Sequence, residues 1–118
     1  HTGLEMQILD DDKHADGQIE KHRAGDLYDL IEADGDALNP VGEWNTIKIV
    51  SDNGKIEQWV NGQLVVSTDM NSEEWKELVS NSKFKDMPDF GKLASGHISL
   101  QDHGNMVWFR DIKIKPLD

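Results

Sequence analysis

Apolar and polar residues alternate along much of the chain, the period-two signature of half-buried strands. In "LEMQIL", residues 4–9, Leu4, Met6 and Ile8 fall on one face and Glu5 and Gln7 on the other. A long polar loop, "DDDKHADGQIEKHRAGD", follows over residues 10–26, and "LYDLIEA", residues 27–33, reads as a second strand. The turn-rich connection "DGDALNPVGE" leads into "WNTIKIVSDNGKIEQWVNGQLVVSTD", residues 44–69, where Asn53-Gly54 and Asn61-Gly62 punctuate three strands. Asn-Gly supplies the positive φ angles of a two-residue type I′ turn, so this stretch is predicted as an antiparallel meander.

The alternation breaks at "NSEEWKELVSNSKFKDM", residues 71–87. Ser72 is placed to cap a helix, with Glu73 and Glu74 in the first turn and Trp75, Leu78 and Val79 on one face. That pattern predicts one short helix, then a loop through Pro88 and Gly91. "GHISLQDHGNMVWFRDIKIKPL", residues 96–117, reads as two strands joined at a tight corner before Gly104. About seven strands and one helix indicate an all-β antiparallel sandwich. No repeat or linker divides the chain, so residues 1–118 are read as a single domain. A curved sheet with a concave polar face, lined by Glu, Gln, Tyr and His, suggests a sugar-binding groove.

Composition narrows the partners. The chain has 118 residues, enough for one core, and a formal net charge of −11. Nucleic-acid binders need clustered Lys and Arg to replace counterions, and an anionic membrane surface asks for the same. The 12 basic residues are spread out against 23 acidic ones, which argues against both classes. With no cysteine, disulfides, thiolate nucleophiles and Cys-based zinc sites are excluded too. No apolar run reaches membrane-spanning length. The chain opens on His1 rather than Met, so the natural N-terminus is expected upstream, with a removed signal peptide as one cause.

Six segments, "LEMQILDDDKH", "HRAGDLYDLIEA", "NPVGEWNTIKIV", "IEQWVNGQLVV", "SKFKDMPDFGK" and "GHISLQDHGNMVWFRDIKI", occur in order over nearly the whole chain. Together they resemble successive motifs of the DUF1080 family, the 3-keto-disaccharide hydrolase or 3-keto-glucoside 1,2-lyase domain. "LQDHG" followed by "VWFRDIKI" is the most specific of them. The resemblance implies a concanavalin A-like jelly-roll sandwich of antiparallel strands with one short helix. It also implies carbohydrate partners and a periplasmic or cell-surface location in bacteria. Family domains begin before "LEMQILD", with strands carrying a Trp and a segment like "NSGIF", so a C-terminal portion of the full domain is expected here.

On that resemblance the expected chemistry is cleavage of 3-keto-glycosides, by elimination or net hydrolysis, in the polar groove. The ketone acidifies the C2 hydrogen, and the step asks for a base at C2–H and a donor or metal at the developing enolate oxygen. His103 is the first choice for acid or base, because imidazole titrates near neutrality. Glu5 is the second catalytic candidate, as base or metal ligand. Gln7, Tyr28, Gln58, Gln101, Asp10 and Arg110 are candidates for holding the sugar.

Each has a plainer alternative. Glu5 and Gln7 suit a solvated strand face, Tyr28 a core aromatic, and Arg110 a surface ion pair. Gln58 lies between Ile56 and Val60 by parity, so it either faces the groove or sits beside a bulge. Trp59 and Trp108 are read as core, Trp44 and Trp75 as packing anchors. A divalent metal is the only cofactor for which ligands are visible. His14 and His22 with Asp10, Asp11 and Asp12 offer some, although without EF-hand spacing a solvated loop is simpler. The alternative function is a non-catalytic, lectin-like carbohydrate-binding module. Oligomeric state is left open.

Overall fold

The structure, a computed structural model, describes residues 2–118. Its frame is a three-stranded antiparallel sheet in the order β1 (Ile47–Asp52), β2 (Lys55–Val60), β3 (Gln63–Asp69). Both predicted hairpins are present. Asn53 and Gly54 have φ of 48° and 87°, and Asn61 and Gly62 have 48° and 82°. These positive pairs are what a type I′ turn requires, and they match the right-handed strand twist. The first turn is tied to the residues just beyond β3: Met70 N donates to Gly54 O at 2.8 Å, and Asn71 Nδ2 donates to Asn53 O at 3.0 Å.

The predicted helix is α1 (Glu73–Ser80). Ser72 Oγ accepts from Trp75 N at 3.1 Å, satisfying one of the free N–H groups of the first turn. Trp75 is buried, and Leu78 and Val79 pack beside it against the core. The sheet contributes Val60, Val65 and Val66 to that core, and the loops contribute Leu27, Leu30, Phe84 and Phe90. Phe84 and Phe90 stack with ring centroids 4.0 Å apart and planes 5° apart, and Phe90 lies 6.5 Å from Trp75. The architecture is thus antiparallel β with one short helix, consistent with a jelly-roll sandwich. Among the described residues no helix is long and apolar enough to cross a membrane.

β2 alternates strictly, with Ile56, Gln58 and Val60 inward. β3 does not. The pairing steps from Gln58↔Val66 to Trp59↔Leu64, so Val65 is an extra residue on β3. Val65 and Val66 are both buried while Leu64 is left outside. A one-residue bulge is the ordinary way to insert a residue without breaking the rest of the ladder.

Three expected strand regions take other forms. Residues 4–9 are extended, but only Met6 forms a bridge, to Leu27. Tyr28 N donates to Glu5 O and Gln7 N to Asp26 O, and this short pairing turns Gln7 inward and Ile8 outward, against the expected parity. Residues 27–33 fold into a turn rather than a strand: Leu30 N and Ile31 N both donate to Leu27 O. Asp29 sits there at φ 61°, and Leu27 and Leu30, three residues apart, share the core.

The C-terminal hairpin is not paired. Residues 96–117 carry no strand, and Ile98, Leu100, Met106, Ile112 and Ile114 are exposed. An isolated two-stranded hairpin is marginal in water, and among the described residues no third strand covers this one. Trp108 in this arm is 66% exposed, so it is not core. Trp59 is half-buried on the outer face, its Nε1 donating to Glu57 and its ring under Lys48.

Candidate functional site

His103 meets a second segment far away in sequence. The loop that follows residue 9 opens with a turn in which Asp10 Oδ1 accepts from the N–H groups of Asp12 and Lys13. His14 N donates to Asp10 O at 2.9 Å, and His14 then caps a single 3-10 turn, Ala15–Gln18. Its Nδ1 accepts from Asp16 N at 3.1 Å. Gly17 is buried directly on the Asp11 carbonyl, where a Cβ has no room. Arg23 Nε donates to Gly17 O at 2.9 Å and Ala24 N to Asp11 Oδ1 at 2.8 Å, which pins the loop back on itself. His14 and Asp16 are held by this closure.

From the C-terminal side, Asp102 Oδ1 accepts from Gly104 N at 2.7 Å, and Gly104 takes φ 85°. That turn presents His103 to His14, with ring centroids 5.4 Å apart in an edge-to-face arrangement. Gln101 Nε2 stands 3.4 Å from His103 Nε2. His103 and Gln101 are exposed, while His14 and Asp16 are half-buried.

A second polar cluster lies behind Asp16. His22 Nε2 and Asp29 Oδ1 are 2.8 Å apart, and Asp29 Oδ2 accepts from Lys83 N at 2.7 Å. Lys83 Nζ donates to Tyr28 Oη at 3.0 Å, and the Tyr28 ring packs on His22 at 4.4 Å. His22 Nδ1 is buried without a hydrogen-bond partner among the described residues, with Asp16 Oδ2 4.0 Å away. Burial alone would raise the Asp29 carboxyl, but the Lys83 N–H and the His22 ring outweigh it and hold it below its ordinary range.

The remaining candidates separate. Gln7 and Gln58 are 2% and 1% exposed, so neither faces a sugar. Gln7 Nε2 donates to His22 O and Gln58 Nε2 to Gly25 O, so the two amides fasten the loop of residues 22–25, one to the extended segment of residues 4–9 and one to β2. Gln58 points inward because β2 keeps its alternation, and the bulge lies on its neighbour. Asp10 closes a turn. Arg110 is exposed and sits over the Trp44 ring at 4.1 Å, beside Asp111 at 3.7 Å. Glu5 is half-buried, and no hydrogen bond or ion pair joins it to His103 among the described residues.

The carboxylate brought to His103 is Asp16, which the sequence reasoning passed over. Its signal was local: "HADG" places a cap residue, a first-turn acid and a glycine in one turn. The alternative grouping of His14 and His22 with Asp10, Asp11 and Asp12, set against the simpler solvated loop, does not form. His22 turns to Asp29, and Asp10 and Asp11 bind backbone N–H groups.

Asp26 anchors the loop from inside. Its oxygens accept from Ala33 N and Arg23 N, each at 2.8 Å. Burial pushes its carboxyl above the ordinary range in spite of these donors, and Asp11 shifts the same way for the same first cause. A carboxyl raised in the folded state binds its proton more tightly there than in the unfolded chain. Stability therefore falls as pH rises from the ordinary value, near 3.8, through the raised one. Urea unfolding of Asp26→Ala should show a loss of about 1–3 kcal/mol from the two stranded donors. Its pH slope just above pH 4 should also be shallower than that of the parent. An unchanged slope would mean that Asp26 is not buried as a charge.

An open cleft of about 240 Å³ runs beside Asp26, lined by Arg23, Glu32, Asp34 and Asp36 among others. Neither His103 nor Glu5 lines it, so it is separate from the His14–His103 corner.

Comparisons with known proteins extend these observations. The family model of a 3-keto-alpha-glucoside-1,2-lyase-like domain matches residues 1–115. A curated protein of Bacteroides thetaiotaomicron named 3-keto-disaccharide hydrolase is 35% identical over 129 aligned positions, covering 97% of this chain and 44% of its own length. A crystal structure from Parabacteroides distasonis ATCC 8503, described as a candidate glycosyl hydrolase, superposes with a TM-score of 0.56 at 30% identity. That match covers 61% of this chain and 32% of the other. The chain therefore spans less than half the length of each of these two proteins.

Proposed function

The chain belongs to the 3-keto-alpha-glucoside-1,2-lyase-like domain family, and from that premise we propose that it serves a carbohydrate-active enzyme cleaving 3-keto-glycosides. The observation that carries the assignment to a site is the meeting of His103 with His14 and Asp16 across two distant segments.

The chemistry fits groups of this kind. A ketone at C3 acidifies the C2 hydrogen. A base takes that proton, and its electron pair forms the C2–C3 double bond as the ketone oxygen becomes an enolate. The carbonyl then re-forms, a C1–C2 double bond appears, and the C1–O bond breaks. The departing oxygen collects a proton. Water adding across the new double bond turns the elimination into net hydrolysis. No oxocarbenium ion is needed, so the paired carboxylates of an ordinary glycosidase are not required.

Three functions must be supplied: a proton acceptor at C2, stabilisation at the enolate oxygen, and a proton donor at the leaving oxygen. Imidazole serves either proton role near neutral pH. His103 is exposed at its corner, where a sugar can reach it, and Gln101 beside it offers an amide to a hydroxyl. The test is release of the alcohol from an aryl 3-keto-glucoside and from the parent aryl glucoside by the intact protein. Release from the keto sugar alone is expected. Equal release from both would indicate ordinary glycosidase chemistry, and release from neither would remove the activity.

A further inference from the structure

We propose that His14, Asp16 and His103 form a binding site for one divalent transition-metal ion of the zinc class. One ligand atom from each of the three residues can be chosen so that all lie within 4.8 Å of one another. A four-coordinate zinc ion with bonds of about 2.0–2.2 Å needs its donors about 3–4 Å apart, so a small contraction closes the set. Two imidazoles and one carboxylate, with a position left open, is a donor set used by catalytic zinc ions. Imidazole ligation also argues against Mg²⁺ and Ca²⁺, which take oxygen donors.

Three further features support the site. His14 and Asp16 are fixed by the Gly17 closure and the Arg23 bond, so two ligands are ordered before any ion arrives. Behind Asp16 stands His22, oriented by Asp29 through its Nε2, with its buried Nδ1 lacking a hydrogen-bond partner among the described residues and 4.0 Å from the Asp16 carboxylate. A group placed there orients a ligating carboxylate from outside the coordination sphere. The net charge of −11 favours cations over the whole surface. One cost is visible. His14 Nδ1 accepts the Asp16 N–H in the chain as it stands. If the ion takes that nitrogen, the cap is exchanged for a coordinate bond.

The ion's part in the reaction rests on the 3-keto-glycoside assignment; its binding does not. At the open position a Lewis acid would meet the C3 oxygen as the C2 proton leaves, which is the stabilisation the elimination requires. His103 then acts as a ligand, and the proton at C2 falls to another base.

The experiment measures binding and turnover separately. The intact protein is stripped with chelator, dialysed and titrated with Zn²⁺ by calorimetry, with no sugar present. One Zn²⁺ per chain is expected. Affinity should drop at least tenfold in His14→Ala, in Asp16→Asn and in His103→Ala. It should stay unchanged in His97→Ala, whose exposed imidazole makes no contact in the cluster. His103 lies on an exposed turn, so His103→Ala keeps the test valid should His14→Ala disturb the loop; circular dichroism checks both. No uptake by the parent protein, uptake of Mg²⁺ in preference to Zn²⁺, or equal affinity in His103→Ala overturns the site. Zn²⁺ uptake without turnover of an aryl 3-keto-glucoside would keep the site and remove the reaction. Turnover that survives chelation in a protein taking up no Zn²⁺ would do the reverse.

Discussion

Replacing His103 with alanine is expected to lower turnover of a 3-keto-glucoside by about 10²–10⁴-fold, whether the imidazole serves as a positioned acid–base group or as a ligand of the ion that would polarise the C3 oxygen. The loss should fall on kcat more than on KM, because in either role the imidazole serves the chemical step and Gln101 is left in place to hold the sugar. A disturbed fold would not mimic this effect: His103 is exposed, and its turn is closed by Asp102 and Gly104, which the substitution leaves alone. His97→Ala, in the same unpaired arm, should be indistinguishable from the parent. Steady-state kinetics on the three proteins decides the matter. Full turnover in His103→Ala would remove the imidazole from the chemistry. A parent protein that binds the sugar and never turns it over would instead be a lectin-like module.

The second large effect is on stability. Phe90→Ala should cost about 3–5 kcal/mol, the range for emptying a buried aromatic position. Phe90 is sandwiched between the Phe84 ring at 4.0 Å and Trp75 at 6.5 Å, so its removal leaves a cavity bounded by two rings on separate segments. Phe84 comes after the helix and Trp75 lies on it, which limits how far either can relax into the gap. Against a total stability of about 5–15 kcal/mol, such a loss is a large fraction. The urea midpoint should fall sharply, whereas Met106→Ala, in the exposed arm, should stay within about 0.5 kcal/mol. Equal effects would mean that the aromatic stack is not the centre of the core.

The features legible in the chain are those that local rules determine. Asn53-Gly54 and Asn61-Gly62 specify their hairpins because few dipeptides tolerate two positive φ angles. Ser72 specifies a helix start because its hydroxyl meets an N–H three residues on. Residues 27–33 misled because Leu27, Leu30 and Ile31 suit an alternating strand loosely, while a positive φ at Asp29 allows a tight turn that buries both leucines. Gln7 and Gln58 misled differently. Gln7 reads as a polar-face residue, and Gln58, in phase with Ile56 and Val60, as groove-facing or beside a bulge, yet each is buried on a backbone carbonyl that needed a donor. Residues 96–117 have strand composition, but composition cannot form a ladder without neighbours.

The site divides along the same line. "LQDHG" drew attention to His103, and its corner is a genuine turn. Its companion was expected to be Glu5 and is Asp16, because the approach of residues 14–16 to residue 103 is a tertiary event that no local periodicity encodes. Only the loop's own closure, through Gly17, Arg23 and Asp11, brings Asp16 into place.

The surplus valine in β3 carries a lesson for anyone editing this gene. Strand neighbours normally pin one another's phase, so a single-codon deletion there usually inverts a whole ladder. Here removal of Val65 would restore a plain alternation and leave the Asn61-Gly62 turn untouched, at the cost of one core side chain and of the carbonyl that accepts Asp34 N. Length can therefore change at this one point without inverting the ladder, and homologues lacking this residue would be expected to differ in how tightly the sheet coils.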